Sequence, residues 1–72
     1  MRKIGVIERK VRKFYLASAS KDAFALFGRN VRDKDGTVGK VIDVLGPAEN
    51  PYLKILPVKD VVIGTSLYVE DE

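Results

Sequence analysis

The chain has 72 residues, which bounds it to one small domain, and 46% of them are hydrophobic, so it is not compositionally disordered. It contains no cysteine and no histidine. That excludes disulfides, thiolate and imidazole metal sites and every Ser-His or Cys-His nucleophile, so a partner is expected before catalysis. The net charge of +3 is unevenly spread: residues 1–13 carry Arg2, Lys3, Arg9, Lys10, Arg12 and Lys13 against Glu8, and the chain ends in Glu70, Asp71 and Glu72.

Valine and isoleucine together number 15 and leucine only 6, a bias towards strands. Ile4–Val11 reads as a first strand, with Ile4 and Val6 on one face and Ile7 on the other. Arg12-Lys13 breaks it, and Phe14–Ala19 reads as a second strand with Phe14 and Leu16 inward, completing a hairpin. Ser20–Gly28 is open to two readings. Ala23, Leu26 and Phe27 would share a helical face capped by Ser20 and stopped by Gly28; or the stretch is a connecting loop that tucks Phe24 and Phe27 over one end of a barrel. The loop is the reading adopted. Asn30-Val31-Arg32 is a short strand, and Asp33-Lys34-Asp35-Gly36 is a turn.

Thr37–Leu45 is the longest strand candidate, with Val38, Ile42 and Val44 on one face and Gly39, Val41, Asp43 and Leu45 on the other. Apolar residues on both faces suit a central strand or one with an outer contact surface. Tyr52–Leu56 follows, stopped by Pro57, and Ser66–Val69 closes the chain after Gly64. Six short strands with turn signals between them make an all-β chain, a single domain over residues 1–72, and a small six-stranded closed β-barrel. No run approaches transmembrane length and no apolar signal segment follows the basic start, so a soluble, cytoplasmic protein is expected.

The loop between the two most apolar strands carries the functional information. Gly46 permits backbone angles other residues resist, and Pro47 and Pro51 fix the loop before any partner arrives. Leu45, Pro47, Pro51 and Tyr52 would then present a rigid apolar patch with one hydroxyl, the composition of an interface anchor. An ordinary Gly-Pro turn with Tyr52 packed on the barrel has the same sequence.

Gly39-x-Val41-x-Asp43-Val44-x-Gly46-Pro47, followed by Pro51-Tyr52 and Pro57, resembles the core signature of the glycine-arginine-rich (Gar) subunit of H/ACA ribonucleoproteins. Asn30-Val31-x-Asp33, the closing Gly64 with Leu67-Tyr68-Val69, and the N-terminal Ile4-Gly5 extend the likeness over nearly the whole chain. The resemblance implies a six-stranded barrel of the translation-protein/reductase-like type. It implies a non-catalytic subunit that docks on the catalytic domain of the H/ACA pseudouridine synthase, supports substrate loading and turnover in RNA-guided pseudouridylation of ribosomal RNA, and meets the guide RNA mainly indirectly. By position, Val44, Leu45, Gly46, Pro47, Pro51 and Tyr52 would form or shape the docking surface. Members with Arg-Gly-Gly tails are larger; here Gly28-Arg29 is an isolated pair, which fits either the compact archaeal form or a chain trimmed of its tails. A paralogous H/ACA assembly factor shares the barrel.

Two other classes compete. A barrel similar to OB-type or translation-factor domains would bind RNA directly through the basic N-terminal hairpin with Phe14 and Tyr15. An enzyme or magnesium site would have to use Asp33, Asp35 and Asp43, and two of these sit where a turn already calls for acids. No enzyme activity, cofactor, metal, membrane or small-molecule substrate is expected.

Overall fold

The valine- and isoleucine-rich segments form six antiparallel strands in the computed structural model, which describes residues 1–19 and 23–70. The proposed cap Ser20 and the acidic Asp71 and Glu72 lie outside the described residues. The strands are β1 (Arg2–Val11), β2 (Phe14–Ala19), β3 (Asn30–Arg32), β4 (Thr37–Leu45), β5 (Tyr52–Pro57) and β6 (Ser66–Val69). They close in the order β1-β2-β5-β4-β3-β6, with β6 returning to β1. Closure leaves no free sheet edge, which so apolar a chain needs. Among the described residues, no helix is long and apolar enough to cross a membrane.

Bulges decide which residues face inward. Between Lys3↔Tyr68 and Gly5↔Leu67 the β1–β6 register shifts by one residue, so Ile4 and Gly5 together oppose the buried Leu67. The expectation that Ile7 lies opposite Ile4 is therefore corrected: both are buried, and Val6, half-buried, takes the other face. A second shift between Val31 and Arg32 lets Val38 and Gly39 both turn inward. A third, between Val41 and Asp43, moves the inward positions of β4 from Gly39 and Val41 to Val44. The regular alternation read for β4 from Val38 to Leu45 fails for this reason.

On β2 the predicted facing is reversed. Tyr15 and Ala17 are buried, and Phe14 and Leu16 are half-buried on the outer side. Ala17 is register partner to Leu53 and Ile7, where a small side chain leaves room for two large ones. Tyr15 is tolerated inside because its hydroxyl accepts a hydrogen bond from the Val61 amide at 3.2 Å.

The stretch after β2 also differs from the reading adopted. Ala23–Leu26 is a single 3-10 turn whose Ala23 and Leu26, three apart, are buried in the core. Phe24 and Phe27 are exposed rather than tucked in. Pro57 is the last residue of β5, one beyond the limit expected from the sequence.

Candidate functional site

The third bulge builds the outer face of the β2-β5-β4 sheet. Beyond it, Asp43 pairs with Lys54, Val44 with Leu53, and Leu45 with Tyr52. Leu53 is fully buried, so Val44 turns inward with it, and Leu45 and Tyr52 point outward as a cross-strand pair. Without the extra residue Leu45 would share the inward parity of Gly39 and Val41.

Neighbouring strands widen this pair into a patch. On β2, Leu16 pairs with Lys54, and at the hairpin Phe14 pairs with Val11. Val11, Arg12, Phe14, Leu16, Leu45 and Lys54 line one groove. Leu45, Tyr52, Val11 and Leu56 are each 39–42% exposed although they sit on regular strands. Apolar residues exposed on adjacent strands make this patch the candidate contact face. The rim is basic: the Lys54 ammonium lies 4.3 Å from the centre of the Phe14 ring, with Lys13 at 5.6 Å.

The adjoining loop is held in shape by its own bonds. Gly46 has φ +89°, in the left-handed region. The Asn50 amide donates to the Pro47 carbonyl, and the Ala19 amide donates to the Pro51 carbonyl, both at 3.1 Å. Of the six predicted contact residues, Leu45, Gly46, Pro47 and Tyr52 are exposed together, Val44 is half-buried against the core, and Pro51 is buried. Pro51 thus shapes the loop and offers no surface. Phe14, Leu16, Val11 and Lys54 were missed, because Phe14 and Leu16 were read as core. The small Ala17 was the available signal that the other face of β2 lies inside.

The competing sites fare differently. Tyr15 is buried, so the N-terminal hairpin offers Phe14 as a stacking ring and not a pair of aromatics. Lys10 lies 5.7 Å from the Tyr15 ring and 3.9 Å from Asp60. The three acids do not converge: Asp33 and Asp35 belong to the turn before Thr37, and Asp43 lies six residues further along β4, roughly 20 Å away. Asp33 accepts from the Asp35 and Gly36 amides at 2.8 and 3.0 Å and from the Lys59 ammonium at 3.1 Å. Burial opposes its ionisation, but the Lys59 ammonium and the two amides outweigh it and hold the carboxyl below its ordinary value. It acts as the staple between the 33–36 turn and the segment after β5.

The chain is similar to the uncharacterized protein MJ0782.1 of Methanocaldococcus jannaschii, with 30% identity over 71 residues covering 97% of this chain and 85% of the relative. No family model matches the chain. No solved structure matches it either.

Proposed function

The chain belongs to the family of this Methanocaldococcus jannaschii protein, and we propose that it is a non-catalytic docking subunit, the compact Gar-type subunit of an H/ACA ribonucleoprotein. It seats the outer face of β2, β5 and β4 on the catalytic domain of the pseudouridine synthase. The observation that carries this reading is the outward Leu45–Tyr52 pair beside the Gly46–Pro51 loop, continuous with the groove of Val11, Phe14 and Leu16. A preformed patch on paired strands and a proline-fixed loop loses little entropy on binding. Its basic rim of Arg12, Lys13 and Lys54 favours a partner surface that offers apolar side chains with carboxylates around them. The likeness of Gly39–Tyr52 to the Gar signature supports the synthase as that partner.

In this role the barrel works by changing populations. Docked next to a mobile loop of the synthase, it favours the loop conformations that load and release substrate RNA. Titration of the full chain against purified synthase tests the reading: saturable binding that is lost in Leu45→Glu supports it, and equal binding by the variant counts against it.

A further inference from the structure

We propose that the barrel carries a second interaction surface, centred on Tyr68 across the ring from the docking face, that binds single-stranded RNA. In the closed order β6 stands opposite β5, three strands away in either direction. Leu67 and Val69 are buried, so Tyr68 between them points outward. It is register partner to Lys3 on one side and to Arg32 on the other. Adjacent Cα atoms in such rows are about 5 Å apart, so the Cα atoms of the two basic residues lie about 10 Å apart on either side of Tyr68. Arg32 in turn pairs with Thr37, and Asn30 two residues away pairs with the exposed Lys40.

This arrangement fits one chemistry. Bases stack on an outward-facing ring, here the half-buried Tyr68, while neighbouring cations take the phosphates, and a base has a stacking face whatever its sequence. Asn30 and Thr37 add side-chain hydrogen-bonding groups within the same cleft as Arg29 and Arg32, suited to ribose hydroxyls and base edges. A membrane surface is the competing occupant, since Val62, 76% exposed, lines a cleft with Tyr68; the hydrogen-bonding side chains of Asn30 and Thr37 beside Arg32 favour RNA. Tyr68 also lines the cleft around the 33–36 turn, where Lys34 and Lys59 stand among Asp33, Asp35 and Asp60, and there Asp33 is taken by Lys59 at 3.1 Å. The strand's path therefore runs from Lys3 over Tyr68 and Arg32 towards Asn30 and Lys40.

Glu70 occupies the site in the unbound chain. Its carboxylate accepts from Arg32 Nη1 at 2.6 Å, and its backbone carbonyl accepts from Arg29 Nη2 at 3.1 Å. The Arg32–Glu70 pair is exposed, 30% and 65% for the two side chains, so it is weak in water and a phosphate can displace it. Glu70 thereby acts as a competitor that the RNA must replace.

Fluorescence anisotropy of the full chain with a labelled short oligouridylate tests this independently of synthase docking. The unaltered chain should bind at low salt with affinity on the order of micromolar and lose it steeply as salt rises. Lys3→Ser/Lys40→Ser, at exposed positions that leave the core intact, should weaken binding about tenfold or more and flatten the salt slope by roughly 0.7 per cation removed. Tyr68→Leu should cost about tenfold with the salt slope kept. Glu70→Gln should tighten binding several-fold, and Tyr52→Ala should leave it unchanged. Absence of binding at low salt, unchanged affinity in Lys3→Ser/Lys40→Ser, a Glu70→Gln variant no tighter than the unaltered chain, or capture by phosphatidylserine vesicles as tight as by RNA would each overturn the proposal.

Discussion

Leu45 and Tyr52 are cross-strand partners at the end of the β4–β5 ladder, and both face out because one extra residue, Ile42, shifts the register between Val41 and Asp43. An exposed apolar pair is thus produced by the same bulge that sends Val44 into the core. The outward patch is a property of the barrel's register.

At Gly39 the backbones of β4 and β5 approach too closely for a side chain. A Cβ at this position would meet the Leu56 carbonyl oxygen, the Pro57 Cα at 2.8 Å and the Ile55 Cγ2 at 2.9 Å. Two of these three are backbone, which cannot turn aside. Gly39→Ala should destabilise the chain by about 1–3 kcal/mol, read as a lowered midpoint in denaturant. A midpoint equal to that of the unaltered chain would mean the strands can part at no cost.

The buried phenol of Tyr15 should be required for its hydroxyl as well as its ring. Tyr15→Phe removes the acceptor of the Val61 amide and should cost about 1 kcal/mol. Thermal unfolding measures it. Amide exchange at Val61 gives a local check, since the variant should lose protection there first.

Six strands were legible in the sequence because β-branched runs alternate with turn residues, and 14–19, 30–32, 37–45 and 66–69 match the observed limits. Facing was not legible. A period of two holds only between bulges: the shift at Lys3/Gly5 has a glycine to signal it, and those at Val31/Arg32 and Val41/Asp43 reset the period with no glycine between the shifted residues. Phe14 and Leu16 were misread for another reason: apolar residues on both faces of β2 leave side-chain size as the guide, and Ala17 was the small one. At the loop, Gly46, Pro47 and Tyr52 were legible because positive φ, fixed φ and an amphipathic ring are properties of those residue types.

Asp33 should give stability an acid-side dependence. Its folded value is lowered, so its contribution is complete at pH values above the ordinary aspartate range and is lost as pH falls through the lowered value. Asp33→Asn should therefore reduce stability at neutral pH and shrink the acid-induced loss. Denaturant titrations near neutrality and at acid pH would show the two chains converging; a constant difference at both would contradict this role.

The docking face itself is tested most directly by calorimetric titration of the full chain into the purified pseudouridine synthase, beside Leu45→Glu and Tyr52→Ala. The unaltered chain should bind saturably. Leu45→Glu should abolish binding by placing a charge in the patch, and Tyr52→Ala should weaken it by about 2 kcal/mol or more, with the circular dichroism of both variants unchanged. No heat from the unaltered chain, or full affinity in both folded variants, would contradict the account.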